Sequence, residues 1–592
     1  MLPFTNMSTR NLHSLICMLA AALVLSACRS PFDPVVSTDE LQRDIRRAIE
    51  REFENLPEDE SAFPAESPPS RTEQALAERR EELDALTPAL AEDERRFELG
   101  ADLAGREQRE VAMSLEQAVR TAVGNNLAVQ IARLQPAITL QDVLTAEAAF
   151  DAAFFADADF VRVDEQTTVP VINGIPLGRP AQRNDSWRFE TGVRADLLTG
   201  GSASISTELL REDFRTEGVA VSPDPAYRAA VRLGFTQPLL RNFGTDVAQT
   251  TIFLTRNIQR RAVEDVRINV LDVIEQTELA YWNLVFAWQD LEIRQWLVDE
   301  GIEVRDVLER RRDFDARPAE HADAVARVEQ RQADVIRARR ELRAASDALK
   351  ALINDPELTV GSEAVILPTD VATAEPITYS LADALRTAIS NRPEIEQSRL
   401  LIGDTIIQQR LAANALLPRL DLFGQVDFTG LEDSTSSAYS EVGDGFLNLL
   451  LGVNFELPIG NRAAEAGVRQ ARLQRSASLL GYRQSVQQVV LEVKQALRDV
   501  VTNYELIQAT RSFRVAQAEN LRALMVREAL VGMTPEFLNL MFQRQETLAT
   551  ARQQELLAKV NFDQSVAQLY RAMGTGMRMH QIELETLDAE DR

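Results

Sequence analysis

"SLEQAVRTAVGNN" (residues 114–126) and "SLADALRTAISNR" (residues 380–392) are nearly the same phrase, written twice in one chain of 592 residues. Ser, Leu, Ala, Arg, Thr, Ala and Asn coincide at 7 of 13 positions, and Val119/Leu385 and Val123/Ile389 are close equivalents. An internal repeat has to be settled first, because it changes the fold read from everything else. Each copy puts its apolar residues on one helical stripe, Leu115, Ala118, Val119, Ala122 and Val123 in the first. The two helices are expected to run from Ser114 to Phe150 and from Ser380 to Leu416.

Beyond each helix the period changes from helical to two. Trp187, Phe189, Thr191, Val193, Ala195 and Leu197 alternate with Arg188, Glu190, Arg194 and Asp196, and Tyr227, Ala229, Val231, Leu233 and Phe235 alternate with Arg228 and Arg232. The second copy has Leu420, Leu422, Gly424, Val426 and Phe428 against Asp421, Gln425 and Asp427. Its partner run, Leu447 to Leu457, sets Leu447, Leu449, Leu451, Val453 and Phe455 against Asn448, Asn454 and Glu456. Strands with one apolar and one polar face belong either to a sandwich with a wet exterior or to a barrel with lipid outside and water inside. The contiguous, Leu-rich face of 447–457 favours hydrocarbon.

Each strand region ends at a proline, "FTQPLL" at Pro238 and "FELPIG" at Pro458, and each proline opens a long helical stretch. Val263, Val266, Val270, Val273, Thr277, Ala280, Leu284, Ala287 and Leu291 form a 3-4 seam in the first, and Val490, Val493, Leu497, Val500, Tyr504 and Ile507 in the second. The helices turn back at Pro318 and Pro535, where proline suits the first turn of a returning helix. The two arms match in length (318 − 238 = 80 and 535 − 458 = 77). An unbroken helix of roughly 68 residues within such an arm spans about 100 Å. The return helices should cover Ala319–Ile353 and Glu536–Gly574, and the Pro/Gly-bearing segment 354–379 reads as an irregular equatorial belt.

The N-terminus reads as a targeting device. Arg10 precedes an apolar run from Leu12 to Leu25, too short to span a bilayer, which ends in Leu25-Ser26-Ala27-Cys28. That ending resembles a bacterial lipobox, in which the Cys is acylated after cleavage; residues 1–27 would then be the signal peptide and Cys28 the lipidation site. Cys17 would leave with the signal, so no disulfide is expected. Arg29 follows, where similar lipoproteins carry Asp if they stay in the inner membrane, so the resemblance favours the outer membrane. Residues 28–112 form an acidic, Pro-rich stretch, with 23 Asp/Glu against 11 Arg over 31–110. Short helices fit 39–55 and 71–86, but few apolar residues recur, and the stretch is expected to be a largely solvated tether. The formal net charge of −27 argues against a nucleic-acid partner.

Together the doubled "SLxxAlrtAixN" helix, "FTQPLLRNFG", "FELPIGNRAAEA", the Gly532-Met533-Thr534-Pro535 tip and the closing "NFDQSVAQLYRAMGT" resemble the TolC-like outer-membrane efflux family over about Met113 to Gly576. The resemblance implies a mainly α protein with a transmembrane β part: a trimeric β-barrel plus a long periplasmic α-helical tunnel, with two structural repeats per chain (113–353 and 380–576) and a tail at 577–592. It implies a passive conduit of a tripartite efflux or type I secretion system, working as a homotrimer with a periplasmic adaptor and an inner-membrane pump, and no cofactor or metal. Asp315, Arg317 and Glu320 in the first hairpin tip, and Gly532, Met533, Thr534 and Glu536 in the second, are candidates for adaptor docking or gating. Arg188, Arg232, Asp421 and Asp427 are expected to face the barrel lumen.

Two departures from the family pattern stand out. The first repeat carries about 46 more residues between its start and its strand-ending Phe (235 − 114 = 121 against 455 − 380 = 75). That surplus holds the pair Trp187–Leu197 and Ser202–Leu210 joined by Gly200-Gly201, a hairpin signal. Members of the family typically contribute four strands each; the hairpin would bring a trimer from 12 strands to 18 if it joined the wall, and is expected instead to be an extracellular flap. The first tip also has Asp315-Ala316-Arg317 where a Gly is usual. An enzyme is disfavoured: three His, no HExxH, no paired CxxC and no GxSxG occur. The competing reading is a lipid-anchored periplasmic coiled-coil adaptor or adhesin, which would not need the Leu-faced strands.

Overall fold

The computed structural model describes residues 38–54, 70–86, 99–103, 105–166, 168, 171–173, 175–176, 181–215, 221–311, 318–373, 375, 377, 380–443, 446–531 and 534–583. Along the chain come α1 (Thr38–Phe53), α2 (Arg71–Ala75), α3 (Arg80–Ala85), β1 (Glu110–Met113), α4 (Leu115–Asn125), α5 (Leu127–Glu147) and β2 (Ala153–Gln166). A small ribbon, β3 (Val171–Ile172) and β4 (Ile175–Pro176), precedes β5 (Ala181–Asp196), β6 (Ser202–Phe214) and β7 (Ala226–Pro238). The first arm follows as α6 (Thr245–Ala248), α7 (Thr250–Arg311) and α8 (Pro318–Ile353), then β8 (Val365–Pro368). The second copy is α9 (Leu381–Asn391), α10 (Pro393–Asn414), β9 (Arg419–Glu432), α11 (Thr435–Glu441), β10 (Phe446–Glu456), α12 (Arg462–Val531), α13 (Pro535–Ala572) and α14 (Gly576–Met579).

The repeat is visible in the backbone. Ser114 and Ser380 cap α4 and α9 by accepting from the amides of Gln117 and Asp383, both at 3.3 Å. Both helices are 11 residues long and stop at Asn126 and Arg392, the same distance from their capping serines, where ψ swings to 130° and 121°. Neither repeat helix is therefore the single rod expected from its sequence; each is two helices with a break at an equivalent residue. The long helices are as anticipated, α7 with 62 residues and α12 with 70, and Pro318 and Pro535 open the return helices α8 and α13. Thr534 caps α13 by accepting from the Phe537 amide at 3.3 Å.

The described chain forms two compact units. The first contains residues 138–259 and 400–479 and is organised by a six-stranded antiparallel sheet in the order β10-β9-β7-β6-β5-β2. The hairpin expected to be a flap is instead β5 and β6, two inner strands of this sheet. Trp187 sits opposite Arg211 within the hairpin, while β6 continues onto β7 (Ser206 opposite Arg232) and β5 onto β2 (Trp187 opposite Phe160). A hairpin whose both outer edges are hydrogen-bonded is held within the sheet, since peeling it away would orphan two ladders of backbone donors and acceptors. β2 was not recognised from sequence, although Phe154, Ala156, Ala158 and Phe160 alternate there with Asp157 and Asp159.

The second unit contains residues 44–137, 260–399 and 480–583 of the described chain and is helical apart from the parallel pair β1–β8. That pair gives the belt some regular structure. Its neighbour Tyr281 is fully buried; its hydroxyl donates to Asp370 Oδ2 at 2.6 Å while Asp370 Oδ2 also accepts from the Leu115 amide at 2.7 Å, tying the belt to the start of α4. The expected seams are interior: Val490, Val493, Leu497, Val500, Tyr504 and Ile507 are all buried on α12, and Val270, Thr277 and Leu284 are fully buried on α7.

Residues 70–86 depart from the solvated tether expected there. The short helices form, but they dock: Leu83 is fully buried with Leu76 and Leu86 against Val515, Leu521, Leu538 and Phe542. Arg514 Nη1 reaches Asp84 at 2.9 Å, Arg511 reaches Glu73 at 3.2 Å, and Ser512 donates to Ser70 at 2.7 Å. Three leucines set in acidic sequence, only Leu83 of them fully buried, give a faint periodicity, while the basic face of α12 supplies the counter-charges.

Candidate channel wall and tunnel tips

Cross-strand partners in an antiparallel ladder point to the same face, so the register of the six-stranded sheet sorts its side chains without ambiguity. One face carries Phe154, Phe160, Trp187, Phe189, Val193, Ile205, Leu233, Phe235, Leu420, Val426, Phe428, Leu447, Leu449, Leu451, Val453 and Phe455. Many of these are exposed, Phe154 by 74% and Leu449 by 72%. An apolar patch continuous over six strands is far beyond what a water-soluble surface ordinarily presents. Trp187–Ala195 and Leu447–Phe455 each take nine residues to cross it, close to the roughly 9–11 residues of a tilted membrane-crossing strand.

At one end the apolar band meets an aromatic row and then a charged rim. Phe160 and Trp187 pack with ring centroids 4.6 Å apart and their planes tilted by 42°, and Arg211 lies 5.7 Å over the Tyr227 ring on the same line across the strands. One step further out, Arg162 donates to Asp185 at 2.8 and 3.0 Å and Arg183 to Asp164 at 3.0 Å. Apolar band, aromatic girdle and charged edge in that order match the chemistry of a hydrocarbon slab bounded by headgroups.

The opposite face is polar. Arg232 Nε bonds Asp427 Oδ1 at 3.1 Å, and its other nitrogens lie 3.5 Å from Glu190 and 3.9 Å from Glu208. Arg188 is 3.9 Å from Glu208, and Gln425 donates to both oxygens of Asp427 at 3.0 and 2.8 Å. Arg188, Arg232 and Asp427, singled out in the sequence, are thus brought together. Asp421 shares the face but is buried elsewhere on it, paired with Arg419 at 2.5 Å. Glu190, Glu208 and Gln425 complete the cluster; they were missed as site residues although each occupies a polar position of its alternation.

Of the tip candidates, Asp315, Arg317, Gly532 and Met533 lie outside the described residues, as does Cys28. Glu320 stands in the first turn of α8, Thr534 caps α13, and Glu536 is exposed in the first turn of α13. Deeper along the helices sits a residue that the sequence did not signal. The buried Arg331 of α8 donates to the Leu297 carbonyl at 2.7 Å and the Phe542 carbonyl at 3.2 Å, and its guanidinium lies 5.0 Å over the Phe542 ring. Burial lowers its pKa to about 10, still far above neutrality, so it is a permanent cation stapling α7, α8 and α13 together. Gln545 bridges it to Glu300, accepting from Arg331 at 3.4 Å and donating to Glu300 at 3.0 Å.

A second cation cluster lies where α10 begins. Arg392, at the break between α9 and α10, reaches Glu394 at 3.0 Å and Glu492 at 2.7 Å, and Arg571 reaches Asp272 at 2.8 Å. Four helices, α7, α10, α12 and α13, are joined by these two arginines. Among the described residues no helix is long and apolar enough to cross a membrane.

The fold is that of the TolC-like outer-membrane channels. Residues 384–575 match the family model described as "Outer membrane efflux protein". Among solved structures, the outer-membrane channel OprN superposes with a TM-score of 0.56 at 15% identity, covering 78% of this chain and 90% of that one. The Campylobacter jejuni CmeC outer membrane channel gives 0.55 at 16% identity over 83% and 95% of the two chains. The open state of the Neisseria gonorrhoeae MtrE outer membrane channel gives 0.54 at 18% identity over 78% and 89%. No curated protein sequence matches the chain. The resemblance read from the doubled helix and the paired prolines is therefore borne out at the level of fold, and the TolC-like repeat containing α9 to α13 is the part that the family model recognises.

Proposed function

We propose that this protein is the outer-membrane channel of a tripartite efflux or type I secretion system. Three copies form a passive conduit, the sheet facing lipid with its apolar side and water with its polar side, and the helices lining a periplasmic tunnel. The reading is carried by the six-stranded sheet, on which an exposed apolar band with an aromatic border lies back to back with the Arg232 ion cluster. An open sheet in a bilayer would leave edge amides and carbonyls without partners, so the chain reaches lipid only as part of a closed assembly.

Cys28 is proposed as the acylated first residue of the mature chain, holding the protein at the outer membrane, and the tips bearing Asp315, Arg317, Glu320, Gly532, Met533, Thr534 and Glu536 as the surface met by a periplasmic adaptor. Arg188, Arg232, Asp421 and Asp427 line the lumen and tune ion passage without binding a defined ligand. A lipid-anchored adaptor or adhesin has no use for the apolar face. Purification decides between the two: the channel requires detergent for extraction, migrates as an SDS-resistant trimer before heating, and conducts ions in planar bilayers. Protein that is monomeric and water-soluble once its lipid is removed contradicts the channel.

A further inference from the structure

Among the described residues the sheet ends in two free edges, β2 and β10, and both carry the apolar and polar faces of the inner strands right up to the margin. Every residue of β10 is exposed except the partly covered Gly452. Because the sheet holds six strands in strict antiparallel alternation, β2 and β10 run in opposite directions. A second copy placed beside the first can therefore pair its β2 with this β10 in the same antiparallel sense as every other pair, and the ring closes with no parallel junction.

We propose that three copies close an 18-stranded barrel through β2–β10 junctions, with the β5–β6 hairpin as a structural part of the wall. The inference rests on the channel reading above and deepens it. The hairpin bears the marks of wall on both faces. Outward it supplies Trp187, Phe189, Val193 and Ile205, half-exposed apolar side chains with no use in an aqueous flap. Inward it supplies Glu190 and Glu208, two of the three carboxylates around Arg232. Removing it from the wall would expose the first set to water and strip the second from their cation. Barrel diameter grows roughly linearly with strand number, so 18 strands give a bore about 1.5 times that of 12. Three Arg232 clusters then ring the lumen.

The position of Trp187 makes this testable in the full-length protein. The other tryptophans, Trp282, Trp288 and Trp296, pack into the core of the helical unit. In vesicles containing brominated phosphatidylcholine, Trp187 in the wall is quenched by bromine, and W187F removes most of the bromine-dependent loss of emission. In parallel, Asp157→Cys is combined in turn with Asn448→Cys, Leu450→Cys, Gly452→Cys or Asn454→Cys, all on the polar face of the two edges; oxidation of at least one pair yields a covalent three-chain ladder, absent from the single-cysteine variants. A trimeric, conducting protein whose Trp187 escapes bromine, or in which none of the four pairs cross-links, overturns the 18-stranded wall and leaves the channel standing. A soluble monomer overturns both.

Discussion

Arg232 on β7 bonds Asp427 on β9, Nε to Oδ1 at 3.1 Å, across the one strand junction at which the two halves of the chain meet within the sheet. The contact couples the first repeat to the second and sits among Glu190, Glu208 and Gln425. The Asp427 contact is a charge-assisted hydrogen bond, a class worth about 1.5–3 kcal/mol where solvent is partly excluded, whereas Glu190 and Glu208, at 3.5 and 3.9 Å, add only through-space attraction to the same cation. Here Arg232 keeps about a third of its side-chain surface exposed, so the lower end applies.

Replacing Arg232 with Ala leaves those carboxylates facing one another. The expected result is a loss of about 1–2 kcal/mol in the stability of the sheet and, in the proposed channel, a lumen more selective for cations. Reversal potentials across a KCl gradient measure the second effect; an unchanged potential would place Arg232 away from the conducting path.

Gly424 lies directly opposite Phe235 on the apolar face of the sheet, and a Cβ there would run into the ring, 2.8 Å from Cζ. The aromatic ring covers the glycine, a pairing known to pin register at places where a side chain is missing. Gly424→Val is expected to displace the ring and cost about 1–3 kcal/mol. The temperature at which the SDS-resistant oligomer dissociates should fall, whereas Gly443→Val, at a site with open space around it, should leave it unchanged.

Leu83 anchors residues 70–86 to the α12–α13 hairpin. Leu83→Ala removes a fully buried side chain, a change that costs about 2–5 kcal/mol in a packed core. Since the segment has few other apolar anchors, it should undock locally while the trimer persists. Limited proteolysis between Arg71 and Arg80 should accelerate at least tenfold; equal rates in wild type and variant would refute the anchor.

Asp563 on α13 accepts from the Thr373 amide at 3.0 Å and from its hydroxyl at 3.2 Å, and burial raises its pKa to about 7. A carboxyl whose folded pKa exceeds its unfolded value of about 3.9 binds a proton in the folded state that the unfolded chain has already lost over that interval. Its contribution is complete below about pH 4 and declines as pH rises toward 7. Asp563→Asn should remove that part of the pH dependence, flattening the helical unit's stability between about pH 4 and 7 as followed by thermal melting. An unaltered profile would assign the dependence to other groups.

Much of the fold was legible in the chain itself. Helix and strand declare themselves through local period, so the seams of α7 and α12, the five strands β5, β6, β7, β9 and β10 and the reversals at Pro318 and Pro535 could all be read from residue order. The doubled phrase at Ser114 and Ser380 revealed the repeat because its capping serines and apolar stripe are local requirements. The site was half legible: alternation identified Arg188, Arg232 and Asp427 as polar-face residues, but not that they meet, nor that Glu190 and Glu208 join them.

Tertiary structure decided what depends on pairing between distant residues. Alternation says that 181–196 and 202–214 are strands but carries no information about their outer neighbours, because strand-to-strand hydrogen bonds are made by a backbone common to every residue. Only the register, Trp187 with Phe160 on one side and Ser206 with Arg232 on the other, makes the hairpin an inner part of the sheet instead of an appended flap. The same holds for Leu83 and Arg331, whose burial draws on partners such as Val515 and Phe542 far along the chain and leaves little local pattern.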